Sequence, residues 1–195
     1  MTRFGIIRHG STPWNKEGRA QGNSDISLDE AGERDAHLLG ERLCLETWDL
    51  IVSSSLLRAK QTAEIIQGKF GSIPLLLDDR LREASGGQIE GTTEAERVAK
   101  WGLKWWEIDL GMESKESVVA RGMSAFEVLL REHYGKNVLV VSHGAFIKHM
   151  LNEIVPHPDR DGPLDNTSLT CVVHAEKGWS CELHNCTQHL TSTNL

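Results

Sequence analysis

The chain has 195 residues, 39% of them hydrophobic and 25% charged, enough to bury one sizeable core, so a single domain spanning 1–195 is expected. Its formal net charge of −7 disfavours nucleic acid and anionic membrane surfaces as partners, so affinity for any anion must come from a local cluster of Arg, Lys and His. No stretch approaches the roughly 20 apolar residues of a membrane span, the first strand begins by Phe4 with no room for a signal peptide, and the four cysteines form no C-x-x-C pair, so a cytoplasmic protein with reduced thiols is expected.

The first predicted strand, Phe4-Gly5-Ile6-Ile7, stops abruptly at Arg8-His9-Gly10. A polar loop, Ser11 to Asp25, follows. Ser27 and Glu30 form a capping-box pair ahead of a helix from Leu28 to Leu45. Leu50 to Ser53 reads as a short strand, Leu56 to Gly68 as a helix, and Ile73 to Leu77 as a strand. Asp78 to Gly91 has no periodicity and reads as loop. Thr93 and Glu96 cap a helix that holds Trp101, Trp105 and Trp106, which fit either core positions or, for part of the segment, a cap over the pocket.

Ser117 to Tyr134 reads as a long helix, in which Gly122 costs about 1 kcal/mol relative to alanine. Val138 to Ser142 is a second apolar strand that stops at His143-Gly144, with a helix from Ala145 to Ile154 behind it. A turn-rich break, Pro156 to Pro163, precedes two strands, Ser168 to His174 and Trp179 to Asn185, joined at Lys177-Gly178. Alternating strands and helices predict an α/β fold: a mostly parallel central sheet flanked by helices, with an edge strand pair near the C-terminus. Cys181, His184, Cys186 and His189 lie on an alternating, strand-like stretch too tightly spaced for a tetrahedral zinc site, and read as ordinary surface or core residues.

In open α/β sheets ligands bind beyond the carboxyl ends of the strands, which is where both His-Gly pairs fall. Their near neighbours are cationic or neutral: Arg8 beside His9, Ser142 beside His143, and Arg19 in the following loop. Arg58 lies in the first turn of a helix, just past a strand end. Guanidinium forks and helix N-termini suit phosphate.

Arg8-His9-Gly10-Ser11-Thr12, with Asn15, Gly18, Arg19, Gln21 and Gly22 behind it, resembles the histidine phosphatase superfamily, also called phosphoglycerate mutase-like. Ser55 to Ala63 is similar to its second motif, and Leu81-Arg82-Glu83 with Gly87, Glu90 and Gly91 to its acid loop. Ser142-His143-Gly144 is similar to its second histidine motif, and Asn166 with Ser168 to its late strand. The matches run in family order over nearly the whole chain.

The resemblance implies a phosphoglycerate mutase-like fold with His9 as the nucleophile. Arg8, Arg58 and His143 would hold the phosphoryl oxygens, and His143 would serve best as the imidazolium. Glu83 would protonate the leaving oxygen and later take a proton from water, with Glu90 a second carboxylate nearby. Asn15 and the backbone N–H of Gly144 would add phosphate donors. Gln21, Gly22 and Arg82 would contact the substrate, a small phosphorylated metabolite, and Arg19 would contact it or shape the loop. No metal or organic cofactor is implied.

Ser11 stands where many members have Glu, and Gly86 where an aromatic residue is common. The stretch between Gly91 and Ser117 is shorter than in the mutase branch, which favours a phosphatase open to water, most similar to the bacterial broad-specificity branch. A cofactor-dependent phosphoglycerate mutase and a phosphatase of cobalamin nucleotide-loop synthesis share the same motifs. A binding module without turnover would need no nucleophile paired with an acid. An exposed edge strand or tryptophan patch would support a homodimer.

Overall fold

The apolar run before His9 forms β1 (Thr2–Arg8), and the run before His143 forms β4 (Asn137–Ser142). They lie side by side and parallel, with Arg8 level with Ser142. In this computed structural model, which describes residues 1–157 and 162–191, they are the centre of a six-stranded sheet. The other strands are β2 (Leu50–Ser53), β3 (Leu75–Leu77), β5 (Leu169–Ala175) and β6 (Gly178–Cys186), in the order β3-β2-β4-β1-β5-β6. β3, β2, β4 and β1 pair parallel, while β5 runs antiparallel to both β1 and β6. The predicted α/β sheet with its C-terminal strand pair is therefore the fold adopted.

Two cores hold this sheet from opposite sides. Phe4, Ile6, Val138, Val140 and Val172 face helices α5 (Lys115–Glu132) and α6 (Gly144–Ile154). Ile7, Ile51, Leu139 and Val141 face α2 (Glu30–Leu43) and α3 (Leu57–Gln67). Burial on both faces is why these strands read as unbroken apolar runs. At about 1.5–3 kcal/mol for each fully buried large side chain, it holds the sheet in place between the helices.

Several boundaries differ from the sequence reading. Asp29, not Ser27, caps α2: its Oδ1 accepts the Gly32 N–H at 2.8 Å. Ser114 caps α5, so that helix begins before Ser117. Gly122 sits where α6 crosses closely; a Cβ there would lie 2.3 Å from the Met150 sulfur. A short α1 (Pro13–Glu17) lies within the predicted loop, closed by a capping box between Thr12 and Asn15.

The three tryptophans are not core. The helix α4 (Glu94–Trp101) ends at Gly102, whose φ is +90°, and Trp105 and Trp106 lie on a separate 3₁₀ turn. Trp105 is held by Arg97 over its ring and Glu94 on its Nε1, and Trp106 is 57% exposed. The last helix, α7 (Gln188–Thr191), packs against α2. Of the predicted break at Pro156 to Pro163, residues 158–161 lie outside the described residues. No helix among the described residues is long and apolar enough to cross a membrane.

Candidate active site

Three parallel strands end on one line, and each delivers a polar residue as it leaves the sheet. His9 follows β1, Ser54 follows β2 and His143 follows β4. The ladder continues one step past the strands: His9 N–H donates to Ser142 O and Ser54 N–H to Val141 O, each at 2.9 Å. The rings of His9 and His143 are thereby 5.2 Å apart, centroid to centroid, and both side chains are buried.

The two nitrogens of His9 have opposite partners. Nδ1–H donates to the Gly10 carbonyl at 2.7 Å, and Nε2 accepts from Arg58 Nε at 3.2 Å. That pairing assigns the proton to Nδ1 and leaves a lone pair on Nε2. Burial, with the Arg58 and Arg8 cations added, holds the His9 imidazole well below its ordinary pKa, so it is neutral. His143 is lowered in the same way, by burial first and then by Arg58. Its Nε2 meets Ser54 Oγ at 2.8 Å, whereas its Nδ1 is buried with no hydrogen-bond partner.

Arg58 is fully buried in the first turn of α3. Besides His9, it donates through Nη1 to Ser24 O and through Nη2 to Gly22 O, each at 2.8 Å. Burial lowers its pKa to about 10, against the opposing pull of Glu83, Asp25 and Glu90, so it remains a cation at neutral pH. Gly22 is needed as a glycine: its φ is +49° and a Cβ would lie 2.1 Å from Glu90 Oε1. Its carbonyl orients Arg58, while Gln21 beside it is buried with an unpartnered Oε1. Arg8 donates through Nη1 to Leu164 O, packs beside Gly144, and has a buried Nε with no partner. The unpartnered buried nitrogens of Arg8 and His143 thus lie beside a neutral imidazole, a set of groups suited to an acceptor-rich anion.

Glu83 lies over the start of α6. Its Oε1 accepts the N–H of Ala84 at 2.9 Å and of Phe146 at 2.8 Å, and its Oε2 that of Ala145 at 3.1 Å. Glu90 has a different task. It accepts from Asn23 N, Ser24 Oγ and Gly86 N, tying the acid loop to the segment whose carbonyls hold Arg58. Asn15 Oδ1 accepts from Thr12 N and Oγ1 within the α1 cap. Arg82 is at the rim, bonded to Ser55 Oγ at 2.9 Å and Asp79 at 3.1 Å. Arg19 is engaged by Glu17, Glu96 and the Gly91 carbonyl, which makes it a loop tie. A cleft of about 400 Å³, lined by Arg8, Gly144, Ala145, Lys148, Pro163 and Leu164, adjoins these groups.

Sequence reasoning placed Asn166 and the segment of Thr62 in family motifs but missed the scaffold they form behind this set. Thr62 Oγ1 accepts the Gly10 N–H at 3.0 Å and donates to Arg58 O at 2.7 Å, joining the two motifs. Thr167, with φ +56°, donates its N–H to Arg8 O at 3.0 Å, and Asn166 Nδ2 donates to His9 O at 2.9 Å. His189 of α7 is buried against the Thr167 hydroxyl at 3.2 Å. Cys186 Sγ accepts from Arg42, and among the described residues no group of three or more His, Cys, Asp or Glu is arranged to hold a metal ion.

Burial, with Arg42 nearby, lowers the His189 pKa to about 4. A folded value below the unfolded one means the stability is present above the unfolded value near 6.5 and is lost as pH falls towards 4. The fold is therefore expected to lose stability through His189 over that window, with His9 and His143 adding in the same direction. Urea unfolding at several pH values should show this decline, and His189→Gln should flatten it; an equally steep profile in the variant would remove His189 as a cause.

Comparison with known proteins gives one consistent family. The sequence profile of the histidine phosphatase superfamily (branch 1) matches residues 4–187. The chain is 35% identical over 193 residues to the uncharacterized phosphatase PhoE of Bacillus subtilis (strain 168), covering 98% of each. Bacillus stearothermophilus YhfR has a similar structure, with TM-score 0.89 and 30% identity over 97% of this chain and all of the other. So does mycobacterial glucosyl-3-phosphoglycerate phosphatase Rv2419c in complex with VO3, with TM-score 0.83 and 29% identity over 94% of this chain and 98% of the other.

Proposed function

The chain belongs to the histidine phosphatase superfamily (branch 1), and from that premise we propose that it hydrolyses small phosphate monoesters through a phosphohistidine on His9. The observation that carries this reading is the opposed bonding of the His9 ring. A neutral imidazole with Nδ1–H tied to Gly10 O presents its Nε2 lone pair to Arg58, and the same guanidinium can turn to a phosphoryl oxygen. Nε2 attacks phosphorus in line; the P–N bond forms as the ester P–O bond breaks. Arg8, Arg58, Asn15 Nδ2 and the Gly144 N–H hold the equatorial oxygens. His143 joins them as imidazolium once the dianion outweighs its cationic neighbours.

Glu83 gives its proton to the leaving oxygen. Its Oε2 carries one 3.1 Å backbone bond against two shorter bonds on Oε1, so Oε2 is the oxygen suited to move a proton. Water then attacks the phosphohistidine, its proton returns to Glu83, and the P–N bond breaks to release phosphate. The cleft beside Arg8 receives the organic part of the substrate. Guanidinium charge does the work of a metal ion here, so chelator should leave the rate unchanged. All four cysteines are free thiols, in keeping with action in the cytoplasm.

The test is a phosphate-release screen over sugar phosphates, phosphoglycerates, nucleotides and phosphoserine, run beside a phosphoglycerate isomerisation assay. Release of inorganic phosphate from several esters with no isomerisation is the expected result. Isomerisation without net release would make the chain a mutase instead.

A further inference from the structure

The loop that carries Glu83 is held by an ion pair that none of the steps above uses. Arg121, on α5, meets Glu113 side by side, with Nε to Oε1 at 2.9 Å and Nη2 to Oε2 at 3.0 Å. The rest of the guanidinium is turned onto the acid loop. Nη1 donates to the carbonyls of Arg80 and Arg82, each at 2.7 Å, and Nη2 to that of Glu83 at 3.1 Å. Glu113 takes the far side of the loop: Oε2 accepts the Ser85 N–H at 3.2 Å, and its own N–H donates to Ser85 O at 2.9 Å.

Arg121 also lies over the Phe146 ring, 5.3 Å from its centroid, and Phe146 N–H is the 2.8 Å donor to Glu83 Oε1. One pair thus grips the backbone before, at and after Glu83, and packs on a residue that orients its carboxylate. The pair is mostly shielded, with side chains 21% and 17% exposed. Arg121 holds the Glu113 carboxyl below its ordinary range, in keeping with a persistent contact. The loop itself has only single 3₁₀ turns at Asp79–Leu81 and Gly87–Ile89, so it lacks a ladder of its own to fix the acid.

We propose that the Arg121–Glu113 pair is the positioning device for proton transfer: it sets where Glu83 stands relative to the leaving oxygen without touching the substrate. The inference rests on the reading of Glu83 as proton donor and acceptor. A planar fork is required, because a lysine keeps the charge but cannot hold a carboxylate and three carbonyls together. Misplacing a reacting group by about 1 Å costs on the order of 10²-fold in rate.

The experiment is a double-mutant cycle of Arg121→Lys and Glu83→Gln, with an alkyl phosphate and p-nitrophenyl phosphate as substrates. Arg121→Lys should lower kcat for the alkyl ester roughly 10–100-fold, with KM and inhibition by vanadate little changed. The loss should be smaller for the first turnover of p-nitrophenyl phosphate, whose leaving group needs little protonation. In the Glu83→Gln background Arg121→Lys should cost nothing further. A full additional loss there, or vanadate affinity falling together with kcat, would overturn the inference. Full activity of Glu83→Gln alone would instead overturn the reading of Glu83. Thermal unfolding checks that each variant is folded, and Glu113→Gln, which keeps the side-chain shape, serves the same cycle if Arg121→Lys is not.

Discussion

Replacing His9 with alanine is expected to lower turnover of any phosphate ester by about 10⁴-fold or more, because the variant has no atom to form the P–N bond. The surrounding site should survive. Arg58 keeps its bonds to the Gly22 and Ser24 carbonyls, and Arg8 its bond to Leu164 O. His9→Ala should therefore still bind inorganic phosphate, while binding vanadate less tightly than the native protein, since vanadate gains from a nitrogen ligand at the nucleophile's position. Steady-state rates and equilibrium binding of both anions check this. Activity within tenfold of the native protein would remove His9 from the reaction.

Glu83→Gln is expected to have the second largest effect, about 10²–10⁴-fold on kcat for an alkyl phosphate. The amide can keep the bonds from Ala84 and Phe146 to Oε1, so the loop should stay in place while its proton chemistry is lost. Only the Ala145 N–H, which meets Oε2, would face an amide donor. The two half-reactions separate the roles. With p-nitrophenyl phosphate the first step needs little acid, so a burst of nitrophenol should precede slow hydrolysis of the phosphoenzyme. With an alkyl ester no burst should appear. Equal losses for both substrates with no burst would mean that Glu83 is not the proton carrier.

The two histidine-bearing strands were legible because their signal is local. Each is an apolar run cut off at His-Gly, as burial on both faces of a parallel sheet requires, and the two pair with Arg8 level with Ser142. Arg58 was legible as a cation in the first turn of a helix. Its complete burial was not, because its acceptors, Gly22 and Ser24, lie 36 and 34 residues away in an aperiodic loop. The same distance hid the work of Gly22 and Glu90, which shape the site through backbone and carboxylate contacts across loops.

Arg82 shows the converse. A cation beside the acid reads as a substrate contact, and nothing local in the sequence shows that it is also tied to Ser55 and Asp79 at the rim. Short α1 was hidden because five mostly polar residues carry no apolar period, only the Thr12 cap and Pro13. The tryptophans misled for the opposite reason. Their spacing fits one helix, but Gly102 ends it at φ +90°, and Arg97 and Lys100 hold Trp105 and Trp101 from outside the core. Arg121 left no trace at all: an arginine on a helix is ordinary until the loop it grips has been folded against it.

In mid-reaction, phosphorus is expected to be bonded to a ring nitrogen of His9. Rapid quenching with a labelled phosphate ester, followed by mapping of the modified peptide, tests it most directly. A label on the peptide containing His9 that is lost in acid and kept in base is the expected result. A label that survives acid, or that lies on any other residue, would contradict it.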